Sequence, residues 1–199
     1  MYRVLIVDDE LFVISSLKNR VKWNDYGFEI VGEARNGIAA YKKILQLKPD
    51  VVFTDIRMAG MSGLDLIQKV NELSLNIQFV VISGYAEFEY AQKALNYGAL
   101  GFCLKPFDEN EIIGILKKAG AVLNKIRVSC EARLLTLLED SRSGDNAAIS
   151  EIFKTLGFEY DGESGIQVAV PVGNARLNLR EGIKYIEIKT GRSKYDYFF

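Results

Sequence analysis

Short apolar runs alternate with stretches of helical period through roughly the first 125 residues of the chain. Val4–Val7, Glu29–Ala34, Val51–Thr54, Phe79–Ile82 and Gly101–Leu104 predict strands. Most are unbroken in Val, Ile, Leu and Phe rather than alternating, which is the pattern of a parallel sheet covered on both faces. Between them, Ile14, Leu17 and Val21 share one helical face, as do Ile38, Tyr41 and Leu45, and then Leu66, Val70 and Leu73. Ser62, with Asp65 three residues later, has the spacing of a capping box. Five such β-α units predict an α/β fold: a doubly wound, five-stranded parallel sheet with right-handed crossovers, ending near Lys125.

The fifth helix is expected to begin near Asp108 and run past this domain. Leu116, Ala119, Leu123, Ile126, Cys130, Arg133 and Leu137 follow a 3-4 spacing, broken by Arg133 and weakened by Gly114 and Gly120. Two readings stand: a helix that dimerises, or an ordinary amphipathic helix that packs on its own chain. The organisation read here is a domain over 1–125, a helical extension or linker over 126–140, and a partial second α/β region over 141–199. In that last region Ser141–Asn146 reads as a loop, Ala147–Leu156 as a helix, and Ile166–Val172 and Ile183–Lys189 as strands. Tyr195–Phe199 reads as an aromatic end with no closing element.

Composition narrows the chemistry. Lys and Arg number 25 against 26 Asp and Glu, so the chain lacks the basic excess of a nucleic-acid binder. No stretch is apolar enough to span a bilayer, and no leader precedes the first apolar run; a cytoplasmic protein without a membrane partner is expected. Cys103 and Cys130 read as free thiols in a reducing compartment. There is no histidine, which removes histidine triads and histidine metal sites.

In an open parallel sheet, ligands bind beyond the carboxyl ends of the strands. The first predicted strand ends in Asp8-Asp9-Glu10, the third in Asp55, the fourth in Ser83 and the fifth in Lys105-Pro106. A strand order of 2-1-3-4-5, the flavodoxin-like order, brings them to one edge. Asp8, Asp9 and Asp55 in one crevice repel each other, and a hard divalent cation relieves this; Mg2+ suits a site that must also hold phosphate oxygens. Lys105 supplies a mobile positive charge and Ser83 a hydroxyl donor. Each piece alone is commonplace at a strand end. The ordered set matches phosphoryl transfer to a carboxylate.

These residues resemble those of a response-regulator receiver domain of two-component systems. The resemblance is carried by Ile6-Val7-Asp8-Asp9-Glu10, Thr54-Asp55-Ile56-Arg57-Met58, Gly60-Met61, Gly63-Leu64, Ser83-Gly84 and Lys105-Pro106, and covers about residues 1–125. It implies Asp55 as phosphoacceptor, Asp8 and Asp9 as Mg2+ ligands together with Asp55 and the backbone carbonyl of Arg57, and Lys105 as the charge-stabilising lysine. It further implies Ser83 and Phe102 as switch residues, Arg57 and Tyr85 at positions that tune dephosphorylation, and a cis Lys105-Pro106 peptide. The family is a phosphoacceptor switch rather than an enzyme, with only self-catalysed phosphotransfer and autodephosphorylation. A sensor histidine kinase is the implied partner. The face of the fourth helix, fifth strand and fifth helix, or the extended fifth helix, is the implied homodimer contact.

Trp23-Asn24-Asp25-Tyr26-Gly27-Phe28 and Ser83-Gly84-Tyr85-Ala86-Glu87-Phe88-Glu89-Tyr90-Ala91 resemble regulators with an AraC-type helix-turn-helix output. No helix-turn-helix follows, so the chain reads as a shortened member whose DNA binding and transcriptional control belong to an output domain outside it. Two positions depart from the family pattern: Ala59 where proline is usual, and Ser62 where an acid is common. Competing readings are a phosphate-independent pseudo-receiver, which usually lacks the acids or the lysine, and an aspartyl-phosphate phosphatase, which needs Asp-x-Asp after its first strand. A flavin carrier would want a Ser/Thr/Gly-rich first loop. A cyclase-like second domain would carry a Gly-Gly-Asp/Glu-Glu-Phe signature, which is missing.

Overall fold

A computed structural model describes residues 1–73, 75–84, 88–139, 150–152, 168–169, 186–189 and 195–198. The chain divides into two compact units, Met1–Asn124 and Lys125–Phe199.

The first unit contains β1 (Tyr2–Val7), α1 (Leu11–Arg20), a short 3-10 turn (Trp23–Tyr26), β2 (Phe28–Ala34), α2 (Gly37–Leu47) and β3 (Val51–Asp55). It continues with α3 (Gly63–Asn71), β4 (Gln78–Ser83), α4 (Phe88–Asn96), β5 (Gly101–Leu104) and the start of α5 (Glu109–Glu139). The five strands form one all-parallel sheet in the order β2-β1-β3-β4-β5, as the sequence predicts.

Both faces of the sheet are buried, which explains the unbroken apolar strands. Val4, Ile6, Val51, Phe53, Val80, Ile82 and Cys103 point to one side, where α1 and α5 cover them with Ile14, Leu17, Ile112, Leu116 and Ala119. Leu5, Val7, Val52, Phe79 and Val81 point to the other, against Ala40 and Ile44 of α2, Leu66, Ile67 and Val70 of α3, and Ala94 of α4. The two-residue repeat of a strand sends neighbours to opposite faces, so each strand needs apolar residues throughout. Each such side chain removed from water contributes about 1.5–3 kcal/mol.

The helix faces follow the predicted period, with one correction of phase. Ile14, Leu17 and Val21 are buried, as are Leu66 and Val70. In α2, however, Ile38 and Leu45 are 51% and 48% exposed, and the buried stripe is Gly37, Ala40 and Ile44. The reason is steric. A Cβ on Gly37 would lie 2.4 Å from the carbonyl oxygen of Met61, so only the smallest residues permit the close approach of α2 to the loop before α3. Size, not hydrophobicity, chose the face. The Ser62–Asp65 capping box is formed, with both reciprocal bonds in place at the start of α3.

The helix expected from Asp108 runs as α5 for 31 residues and crosses from the first unit into the second. In the second unit, Ser150–Ile152 is helical, within the predicted helix. The predicted strands contain β6 (Val168–Ala169) and β7 (Ile186–Lys189). The aromatic end is a correction: Tyr195–Phe198 is β8, the central strand of an antiparallel sheet in the order β6-β8-β7. The loop read over Ser141–Asn146 lies outside the described residues.

Candidate functional site

The register of the sheet sets the site. Val7 of β1 stands opposite Thr54 of β3, so Asp8 and Asp55 come next at the same level on adjacent strands. Ser83 of β4 pairs with Leu104 of β5, and the Lys105 amide donates to the Ser83 carbonyl at 2.9 Å. Four strand ends therefore deliver Asp8, Asp55, Ser83 and Lys105 to the carboxyl edge.

Lys105 joins the two acids. Its Nζ lies 2.9 Å from Asp55 Oδ1 and 2.9 Å from Asp8 Oδ2. Asp8 and Asp55 are buried. Each carboxylate spends its other oxygen on a backbone amide: Glu10 N–H donates to Asp8 Oδ1 at 3.0 Å, and Arg57 N–H donates to Asp55 Oδ2 at 2.8 Å. The ammonium aligns a hydrogen on Asp55 Oδ1. Asp8 Oδ2 has the positive charge beside it but no aligned donor.

The electrostatics follow from this geometry. Burial pushes the Asp8 carboxyl above its usual range, and the pull of Lys105 and the Glu10 amide only partly offsets it. Burial alone would lower the Lys105 ammonium, but the hydrogen bond to Asp55 and the close negative charge of Asp8 outweigh it and hold the pKa above its ordinary value. Lys105 is thus a firmly charged cation between two buried carboxylates.

The oxygen set suits a hard cation. Asp8 Oδ2 is a buried carboxylate oxygen without an aligned hydrogen bond, and Asp55 Oδ1 faces the same point of positive charge. Two such donors on adjacent strand ends fit Mg2+, a hard cation that takes one or two carboxylates and completes its shell with water. Of the three acids expected in the crevice, Asp8 and Asp55 share the Lys105 ammonium. Among the described residues no three acids, cysteines or histidines stand together as a metal cluster, and Asp9 is exposed. Asp9 is nonetheless fixed: Arg35 donates to its carbonyl oxygen at 3.2 Å, and the preceding Asp8 N–H donates to Ala34 O at 3.1 Å.

The other predicted positions divide. Ser83 is fully buried, and its hydroxyl donates to the Gly84 carbonyl at 3.1 Å rather than to either acid. Phe102 is half-buried on β5 and packs against the apolar cluster under α2–α4. It also lines a groove of about 330 Å3 with Leu95, Leu100 and Ile115. Arg57 is exposed, and Lys105-Pro106 is cis. Tyr85 lies outside the described residues. Cys103 and Cys130 are in no disulfide, and burial first, with Glu111 nearby, pushes Cys103 up to about 12.

Sequence reasoning assigned no role to three supports of the site. The Thr54 hydroxyl, fully buried, donates to the Asp55 carbonyl at 3.0 Å. Gly63 packs directly against that same carbonyl, and its amide donates to Ile56 O at 2.9 Å. Arg35 steadies the acidic turn from a neighbouring loop. A glycine as the first residue of a capped helix was the one visible signal.

Residues 4–117 match the family described as the response regulator receiver domain. The chain belongs to that family. Receiver domains act as phosphoacceptor switches, and the family match covers most of the five-stranded unit. The transcriptional regulatory protein YesN of Bacillus subtilis is 42% identical over 125 residues, which are 63% of this chain and 34% of that protein. The chain thus matches only about a third of the length of that relative. The receiver domain of AraT, a response regulator from Geobacillus stearothermophilus, superimposes with a TM-score of 0.60 at 34% identity, covering 62% of this chain and 96% of that one. A CheY of Borrelia burgdorferi, solved with CheX, BeF3 and Mg2+, superimposes with a TM-score of 0.52 at 28% identity, over 58% of this chain and 86% of that one. Among the described residues no helix is long and apolar enough to cross a membrane.

Proposed function

We propose that this receiver domain takes a phosphoryl group on Asp55 and relays the change through the face of α4, β5 and α5. The observation that carries the reading is the Lys105 ammonium held 2.9 Å from both Asp8 and Asp55 at the carboxyl edge of the sheet. A donor, either the phosphohistidine of a sensor kinase or a small acyl phosphate, presents phosphorus to the Asp55 carboxylate. A carboxylate oxygen of Asp55 attacks, the phosphorus–donor bond breaks, and the leaving group departs with its electron pair. Asp8, Asp9, Asp55 and the carbonyl of Arg57 are the residues that would hold Mg2+. When bound, the ion neutralises charge on the phosphoryl oxygens and orients them. Support for it comes from the unaligned buried Oδ2 of Asp8 and from the Mg2+ in the related CheY complex.

Lys105 leaves Asp8 and pairs with a phosphoryl oxygen on Asp55. The Ser83 hydroxyl swings from the Gly84 carbonyl to another. The space Ser83 vacates admits Phe102, which sits half-buried on the same edge. Moving a two-state switch from 1:99 to 99:1 takes about 5.5 kcal/mol of preference, and roughly two added charges facing a lysine and a cation are a fit source. Hydrolysis resets the switch, with Arg57 and Tyr85 placed to tune it. The face formed by α4, β5 and α5, or the length of α5, serves as the contact with a second copy. In a longer protein carrying a DNA-binding output, this contact would control transcription in the cytoplasm; the relative YesN is a transcriptional regulatory protein.

Incubation with acetyl phosphate and Mg2+ should add one phosphoryl group by intact mass. Asp55→Asn should add none; unchanged labelling of that variant would remove the assignment.

A further inference from the structure

We propose that the outer edge of β2 is a docking rail for an extended acidic segment of a partner protein, which adds as a strand beside Ile30–Ala34. β2 is the last strand of the sheet and pairs only with β1. Because Ala34 O is taken by the Asp8 amide, the carbonyl of Glu33, one residue earlier, faces away from β1. Lys43 Nζ reaches over from α2 and donates to that carbonyl. The ammonium stands where the N–H of an added strand would stand. An open edge is a template for strand addition, and lysine is a common temporary guard of such an edge.

The surroundings say which strand fits. A groove of about 660 Å3 follows the edge, lined on its apolar side by Leu11, Ile30, Val31 and Ala39. Leu11 is 56% exposed, an apolar side chain without cover. Lys18 is matched by the Glu33 carboxylate. Lys43 and Arg35 are not so matched. Among the described residues each donates to a backbone carbonyl, of Glu33 and Asp9, and meets no carboxylate. Two uncompensated cations therefore line this groove in a chain of net charge −1. An occupant alternating acidic and apolar residues would place N–H groups on the rail, carboxylates on Lys43 and Arg35, and apolar side chains on Leu11 and Val31. The docked strand would be tied to the Asp8 turn through the Asp8–Ala34 and Arg35–Asp9 bonds, with β2 and β1 between it and β3, the strand that ends in Asp55.

The test uses the full chain and labelled hexapeptides in fluorescence anisotropy. The probes are a Glu-Val alternating peptide, its Lys-Val counterpart, and the Glu-Val peptide N-methylated at alternate residues. The Glu-Val peptide is expected to bind saturably and more tightly at low salt, with amide shifts at residues 30–35. The Lys-Val peptide is expected not to bind. N-methylation, which keeps the charge and removes strand donors, should weaken binding by about tenfold or more, as should Lys43→Glu. Absence of saturable binding, or equal binding by the N-methylated peptide, overturns the proposal. So does undiminished binding by a Lys43→Glu protein that is folded by circular dichroism and still labels on Asp55. If that variant does not fold, the N-methylated arm on the natural chain decides.

Discussion

A Cβ atom on Gly63 would stand 2.0 Å from the carbonyl oxygen of Asp55, with Thr54 Oγ1 3.1 Å away. No side chain fits there unless the backbone of the phosphoacceptor moves. Gly63 is thus as much a part of the site as the acids, although it carries no chemistry. Gly63→Ala is expected to destabilise the first unit by about 1–3 kcal/mol, the usual cost of overpacking. It should also slow acetyl-phosphate labelling of Asp55. Thermal unfolding and a mass-spectrometric time course read the two effects separately, and wild-type values for both would refute the steric argument.

The predicted strands and site residues share a cause: a strand buried on both faces leaves no room for a stray polar residue, so the polar residues cluster where it ends. Asp8, Asp55, Ser83 and Lys105 are visible for that reason. The face of α2 was misread for the opposite reason. Gly37 and Ala40 are buried because they are small, and a hydrophobicity pattern favours the exposed Ile38 and Leu45. Contacts made by backbone atoms were not legible. The amides of Glu10 and Arg57 that anchor the carboxylates belong to residues whose side chains are exposed.

Burial raises the Asp8 carboxyl, so ionising it costs more in the folded chain than in the unfolded one. Below the unfolded value of 3.8, both states hold the proton and the cost is absent. As pH rises through the raised folded value, the cost grows, and above it the cost is complete. Asp8→Asn keeps the shape without the charge. Its melting temperature without metal is therefore expected to exceed that of the natural chain at pH 7, with the gap closing toward pH 4. A lower melting temperature for the variant at pH 7 would show that the Asp8–Lys105 pair outweighs the burial cost.

Trp23 is the sole tryptophan and is buried at the edge of the core. Its ring meets Phe53 edge-on, with centroids 5.4 Å apart, and its Nε1 donates to Lys18 O near the end of α1 at 3.0 Å. Trp23→Ala removes the packing and the cap together. A loss of roughly 3–5 kcal/mol is expected, measured by urea unfolding followed by circular dichroism. In the natural chain, tryptophan fluorescence should report unfolding of the first unit alone; a transition tracking only the second unit would contradict the placement of Trp23.

Lys105 is the only cation the described structure places between Asp8 and Asp55, and Mg2+ would compete for the same two oxygens. Lys105→Ala leaves two buried carboxylates facing each other without a counter-charge. Breaking such a pair costs roughly 3–5 kcal/mol, and uptake of a proton softens the loss. The lysine's folded pKa is raised, so its stabilisation is complete below the unfolded value of 10.5 and is lost as pH climbs through the higher folded value. The natural chain and Lys105→Ala should therefore differ most near neutral pH and converge in strong alkali. They should also converge on acidification, where protonated carboxyls no longer need the ammonium. Mg2+ should raise the melting temperature of Lys105→Ala by more than that of the natural chain, because in the variant the ion supplies the missing positive charge, whereas in the natural chain it must first displace an ammonium. Calorimetry of both proteins, with and without Mg2+, reads this directly. An equal or smaller gain in the variant would mean that the ion and the lysine do not share the oxygens of Asp8 and Asp55.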